Sequence, residues 1–191
     1  MKIVLASRNK KKIHELRGLI KEALNSDVEV LSLDDIGFYG EIEENGKTFE
    51  ENATIKAKTI FEQTKTAVIG DDSGLCVPSL NGEPGIFSAR YAGENANMED
   101  NKKLLLKNLQ GKDRSAYFTC CLVYYDGQAH AFEGKCEGEI LFQEVGTGGF
   151  GYDGLFFSRD LNKSFGECTK EQKNTVSHRA RAIKKLCEYL K

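Results

Sequence analysis

Apolar positions along the chain change rhythm several times, and each change marks an element. "KIVLA" near the start is a continuous apolar run and predicts a buried strand. A polar loop, "SRNKK", follows it. Ile13, Leu16, Ile20 and Leu24 then recur at helical spacing, predicting an amphipathic helix that ends near Ala23 or Leu24. "DVEVLSL" predicts a second short strand, and "DDIGFYGEIEENG" an acidic loop. A second helix is expected from Thr48. Thr48 and Glu51 match a capping box, and Phe49, Ala53, Ala57 and Ile60 form its apolar stripe. "AVIG" predicts another buried strand, ending at a Gly-flanked turn, "DDSG". After a Gly/Pro loop, "NMEDNKKLLLKNLQG" predicts a third helix stopped by Gly111. "SAYFTCCLVYY" and "QAHAFEGKCEGEI" are β runs joined by Asp126-Gly127, a hairpin signal. The Gly-rich "GTGGFGYDG" leads into "LFF". The last helix carries Ala180, Ile183, Leu186 and Leu190 on one face. A βαβ start followed by hairpin strands predicts an α/β fold with a mixed sheet and flanking helices.

Composition narrows this picture. The 191 residues suit one domain, or one domain with two lobes, spanning 1–191. Apolar residues make up 40% and charged residues 29%, as in ordinary globular proteins. A formal net charge of −2 speaks against a polynucleotide partner. Six cysteines show no CxxC pair and no Cys/His zinc spacing, and Cys120 and Cys121 adjoin in a strand, facing opposite ways. They are expected as reduced thiols in a cytoplasmic protein. "MKIVLAS" is too short an apolar run for a signal peptide, and no segment is expected to span a membrane.

Five clusters carry candidate chemistry. Arg8, Lys10, Lys11 and Lys12 load cations onto a helix start, where the macrodipole disfavours them, so an anion is expected there. In "DDSG", Asp71 and Asp72 follow a buried strand. Adjacent carboxylates suit a hard cation such as Mg²⁺, and equally a turn in which one Asp caps the backbone. Glu41, Glu43 and Glu44 form either a solvated acidic loop or a partner to those aspartates at a metal. "GTGGFG" has the letters of a dinucleotide fingerprint but leads into a strand, not a helix. Its aromatics, Phe150 and Tyr152, fit a platform for a flat base or a turn with rings in the core. Ser177 is a natural N-cap. Lys173, His178 and Arg179 beside it form a donor set for a carbonyl-rich or anionic ligand.

Taken in order, "SRNKKKIHEL", "EENGKTFEENATIKAK", "DDSGLCVPSLNGEPGIFSARYAG", "GFGYD" and "KNTVSHRARA" resemble the inosine triphosphate pyrophosphatase family, also called dITP/XTP pyrophosphatases. The resemblance runs over nearly the whole chain. It implies an elongated fold of two lobes around a central cleft, usually a homodimer. It also implies Mg²⁺-dependent hydrolysis of ITP, dITP and XTP to the monophosphate and pyrophosphate, which clears deaminated purines from the nucleotide pool. The family's phosphate loop falls on Ser7, Asn9 and Lys12. Arg8, Lys10 and Lys11 share that loop and either raise its potential or face solvent. Glu44, with Glu43 beside it, falls on the metal-binding glutamate. Asp72 falls on the metal ligand and proton acceptor, Ser73 on a substrate contact and Lys56 on a lysine near the phosphates. Phe150, Gly151, Tyr152, Asp153, Lys173, His178 and Arg179 fall on nucleoside-binding positions, with Phe150 stacking on the base.

Three positions depart from the family pattern. Ser7 replaces Thr and keeps the hydroxyl, Gly154 replaces a Pro and is expected to loosen its turn, and "QEVG" at 143–146 lacks a Pro. Rival functions are a pyrophosphatase for modified pyrimidine nucleotides and a non-catalytic nucleotide sensor. A GxxxxGK[ST] loop is missing, which argues against a GTPase or kinase.

Overall fold

The computed structural model describes residues 1–24 and 28–191. Asp27, the first residue of the second predicted strand, lies outside them. Strand β1 (Lys2–Ala6) pairs in parallel with β2 (Glu29–Leu31) and with β3 (Val68–Cys76). The hairpin strands β4 (Ser115–Tyr125) and β5 (Ala129–Ile140) follow. Two short strands, β6 (Phe156–Ser158) and β7 (Lys163–Ser164), complete a seven-stranded sheet in the order β2-β1-β3-β4-β5-β6-β7. β5–β6 and β6–β7 are antiparallel, so the sheet is mixed, as the pattern predicts.

Five α-helices accompany the strands among the described residues: α1 (Lys10–Leu24), α2 (Phe49–Thr64), α3 (Met98–Asn108), α4 (Lys170–Val176) and α5 (His178–Tyr189). Thr48 caps α2 by accepting from the Glu51 amide. The Glu51 carboxylate in turn accepts from the Lys47 amide, one residue earlier than the predicted capping box requires. Helix α4 has no apolar period to betray it. Its sequence signal is the Thr169/Gln172 capping box.

The chain divides into two compact units. The first comprises residues 1–72, 120–134 and 179–191, and the second residues 73–119 and 135–178. In the first, alternate residues of β1 serve two cores. Ile3 and Leu5 pack with Leu16 and Ile20 of α1 and Ile183 and Leu186 of α5, while Val4 and Ala6 pack with Ala53, Ala57 and Ile60 of α2. Burial on both faces is why "KIVLA" reads as a continuous apolar run. Cys120 and Cys121 divide between the same two cores, and all six cysteines are free thiols. Burial pushes the Cys121 thiol up to about 12, consistent with an inert packing role. The second unit has one core, built on Leu75, Leu105, Phe118, Phe156 and Phe165.

One sequence expectation is overturned. "DDSG" is not a turn: β3 continues through Asp71, Asp72, Ser73 and Gly74 to Cys76. Its register places Gly70 beside Ala6, the last residue of β1, so the two aspartates lie just beyond the carboxyl end of β1. Ligands of open α/β sheets bind at such strand ends. Carboxylates rarely occupy a buried strand, and these two do so because cations meet them there, as described below.

Gly70 fixes how closely α2 approaches β3. A Cβ at this position would overlap the Ala53 carbonyl oxygen and crowd the Ala57 amide, both of them backbone atoms that cannot swing away. Gly70→Ala is therefore expected to push α2 outward and cost about 1–3 kcal/mol. At this chain length Tm should fall by roughly 2–4 °C per kcal/mol lost, read by calorimetry. An unchanged Tm would contradict the close approach.

Candidate active site

In the first unit, two adjacent aspartates point to opposite faces of β3 and meet different partners. Asp71 is fully buried. Its Oδ1 accepts from Lys12 Nζ at 2.8 Å and its Oδ2 from Arg179 Nε at 2.9 Å, with the Cys120 thiol 3.7 Å from the same oxygen. Arg179, only 2% exposed, donates from Nη1 to Glu15 Oε2 at 2.6 Å. Two cations and two carboxylates thus tie α1, β3 and α5 together. Burial alone would raise the Asp71 carboxyl, but Lys12 and Arg179 outweigh it and hold the group well below the usual carboxylate range. Both Asp71 oxygens are therefore engaged by cations inside the fold.

The cations at the start of α1 find partners within the chain. Lys12 reaches Asp71, while Arg8 donates to the Phe38 and Gly40 carbonyls and lies over the Phe38 ring. Asn9 caps the helix, its Oδ1 accepting from the Lys11 and Lys12 amides, and the Asn9 amide donates to Ser7 Oγ. Lys10 and Lys11 are exposed.

Asp72 lies in a different setting. Lys56 Nζ is 3.2 Å from Asp72 Oδ1, 2.8 Å from Glu44 Oε2 and 2.9 Å from the Asp71 carbonyl oxygen. Asn52, one turn before Lys56 on α2, links two parts of this set. Its Nδ2 donates to Asp72 Oδ2 at 3.3 Å, and its Oδ1 accepts the Gly46 amide of the acidic loop at 2.9 Å. Burial raises the Asp72 carboxyl above its ordinary value, and Lys56 and Lys12 only partly offset this. Burial opposes the Lys56 charge too, but Asp72 and Glu44 more than restore it and raise its pKa. Glu43 is exposed.

The second unit holds a separate set. Asp153 Oδ2 accepts from the Phe150 amide at 2.9 Å and from Lys173 Nζ at 2.8 Å, and that ammonium sits 4.8 Å from the Phe150 ring centre. Gly149 has φ +69°, and a Cβ there would overlap the Asp153 carboxylate, so only glycine suits the position. The two aromatics of the loop part company. Phe150 is half-buried, whereas Tyr152 belongs to the core and donates its hydroxyl to the Ser88 carbonyl. Gly151 lies between them. His178 is buried and stacks on Phe118 at 4.8 Å. Ser73 is half-buried on β3, next to Asp72 in sequence. The space beside Gly154 is taken by the Glu144 side chain, so the turn is filled rather than loosened.

The structure therefore brings Glu44, Lys56 and Asp72 into direct contact. It joins Lys12 to Arg179 through Asp71, and gathers Phe150, Asp153 and Lys173. Sequence reasoning passed over Asn52 and Glu15, and left Asp71 undecided. Asn52 had one readable signal, its i,i+4 spacing from Lys56 on a predicted helix. Glu15 had none, because its partner is 164 residues away.

Comparison with known proteins gives a consistent picture. A model described as "Ham1 family" matches residues 3–189. The chain is 46% identical to a dITP/XTP pyrophosphatase of Thermoanaerobacter pseudethanolicus, covering 100% of this chain and 96% of that protein. It is also 46% identical to the protein of that name from Bacillus licheniformis, covering 98% and 97%. Among solved structures, the Staphylococcus aureus Ham1 protein superposes with a TM-score of 0.89 at 40% identity, covering 100% and 98% of the two chains. A HAM1 protein from Coxiella burnetii superposes with a TM-score of 0.90 at 36% identity, with the same coverage.

The Asp71 network predicts both a stability loss and its pH dependence. Asp71→Asn leaves Lys12 and Arg179 short of a buried carboxylate and should cost about 3–5 kcal/mol at neutral pH. Because the folded-state pKa is depressed, the Asp71 contribution is complete above the unfolded value of about 3.8 and is lost as pH falls below it. Denaturant titrations from pH 7 down to 2 should run parallel above about pH 4 and diverge below it, the wild type losing stability more steeply than the variant. Equal stabilities at neutral pH, or limbs that stay parallel below about pH 4, would contradict this role.

Proposed function

The chain belongs to the Ham1 family, and from that footing we propose that it is a nucleoside-triphosphate pyrophosphatase for the deaminated purine nucleotides ITP, dITP and XTP. The observation that carries the proposal is the convergence of Glu44 and Asp72 on one buried ammonium, Lys56, with Lys12 on the neighbouring carboxylate. An acidic pair next to basic groups is the donor set that triphosphate chemistry requires.

The same pair supports Mg²⁺ as cofactor. Mg²⁺ is held through one or two carboxylates plus substrate phosphates, and Glu44 and Asp72 supply two hard oxygen donors. When bound, the ion would neutralise phosphate charge and make the α-phosphorus more electrophilic. Asp72, its pKa raised by burial, would take the proton from the attacking water. The water oxygen bonds to the α-phosphorus, the bond from that phosphorus to the oxygen bridging the β-phosphate breaks, and pyrophosphate leaves. Lys12 and Lys56 would offset the charge on the leaving group, and Asn52 would hold the Asp72 carboxylate in place. Ser7, Asn9 and the exposed Arg8, Lys10 and Lys11 would supply donors and positive potential for the triphosphate, and Ser73 a contact to it.

For the nucleoside, Phe150 would stack on the base, with Gly151, Tyr152, Asp153 and Lys173 shaping its setting. His178 and Arg179 would donate toward O6, an acceptor in hypoxanthine and xanthine where adenine carries an amino donor. A mismatched base would leave buried donors unpaired. Arg179 is already oriented by Asp71 and Glu15. We further propose a cytoplasmic homodimer, which sedimentation would read at about twice the 21.3 kDa of one chain. Among the described residues no helix is long and apolar enough to cross a membrane.

The test is Mg²⁺-dependent product analysis across ITP, dITP, XTP, GTP and ATP. Pyrophosphate and monophosphate from the first three are expected, and orthophosphate release would overturn the reaction class. Asp72→Asn should lower kcat by on the order of 10²–10⁴ with Tm preserved. His178→Ala should shrink the preference for ITP over ATP by roughly tenfold or more. An unchanged preference would remove His178 from base selection.

A further inference from the structure

The Gly-rich loop that carries Phe150 and Asp153 is tied to helix α3 through the Lys102 ammonium, which reaches Glu144 just before the loop. We propose that the Lys102–Glu144 ion pair, with Gly154 left bare to admit it, is a positioning device that sets this loop for the nucleoside. The proposal rests on the pyrophosphatase function argued above and adds two positioning residues to it.

Lys102 is 8% exposed on α3, and its Nζ lies 2.7 Å from Glu144 Oε1 and 2.5 Å from Glu99 Oε1. The Glu144 side chain crosses the backbone at Gly154. A Cβ there would lie 2.9 Å from Glu144 Oε1 and 3.4 Å from its Cβ and Cγ. The Val145 amide donates to the Gly154 carbonyl at 2.9 Å, and the Val145 carbonyl accepts from Ser164 Oγ at 2.5 Å. Gly154 directly follows Asp153, whose carboxylate orients both the Phe150 amide and Lys173. Anchoring Glu144 on Lys102 therefore fixes the peptide from which Asp153 and Phe150 are held.

Two features separate this from ordinary stabilisation. Glu144 is 44% exposed at its side chain, so the pair adds little to stability. Lys102 keeps Glu99 when Glu144 is lost, so breaking the tie leaves no uncompensated buried charge. A methyl at Gly154 would displace only the flexible end of Glu144, again sparing the fold but not the ion pair.

The test is steady-state ITP hydrolysis by wild type, Lys102→Met, Glu144→Gln, Glu144→Ala, Gly154→Ala and the double variant Glu144→Ala/Gly154→Ala, with Tm measured alongside. Lys102→Met, Glu144→Ala and Gly154→Ala should each raise KM for ITP roughly tenfold, within the range that a displacement of about 1 Å can cost, with kcat and Tm nearly unchanged. Glu144→Gln keeps an acceptor for Lys102 and should recover most of the loss. Gly154→Ala should add nothing in the Glu144→Ala background, because its effect acts through Glu144. Wild-type KM in Lys102→Met and Gly154→Ala, additive effects in the double variant, or a fall of kcat and Tm together with the rise in KM would each overturn the proposal. A wild type that fails to hydrolyse ITP would instead remove the function on which it rests.

Discussion

Burying a carboxylate is among the most costly steps a fold can take unless cations meet it, and β3 buries two in succession. Asp71 is tolerated because Lys12 and Arg179 reach it from two helices, and because Glu15 balances the second of those cations. Much of the first unit follows from that requirement. Helix α1 must present Lys12 and Glu15 on one side, three residues apart, and α5 must begin where Arg179 can reach β3. The strand can then continue past the end of β1 with acidic residues inside it.

Once Asp71 is neutralised, the pleat turns Asp72 to the opposite face, and the chemistry of that face is different. It has one ammonium, one amide and a second carboxylate from a loop, with burial prevailing over the attraction of the lysines. Two neighbouring residues of one type thus acquire opposite properties from their surroundings. Asp71 is locked in its charged form and holds elements together. Asp72 has its carboxyl raised by burial, the property that its proposed roles as metal ligand and proton acceptor call on.

Most of the strands and long helices were legible in the sequence because their signals are local. The apolar runs of β1 and β4, the Asp126-Gly127 hairpin and the Thr48 cap are all written within a few residues. The "DDSG" strand was not legible, because local propensity favours a turn and the cations that overrule it come from residues 12, 56 and 179. The positive start of α1 was legible as an anomaly, but its internal counterion was not, since Asp71 is 59 residues away. Pairing Phe150 with Tyr152 as aromatics of one loop missed that one ring enters the core while the other stays half-buried. Gly154 illustrates the same limit. Alone it suggests a looser turn, and only the packing of Glu144 across it shows what the missing side chain makes room for.

Carboxyl ¹³C NMR on aspartate-labelled, metal-free protein measures the contrast between the two aspartates directly. Following both resonances as pH is lowered, with assignments from Asp→Asn variants, should show Asp72 protonating above the ordinary value of 3.8. Asp71 should stay ionised until the protein unfolds in acid. Two carboxyls titrating together near the ordinary value would contradict the division of roles.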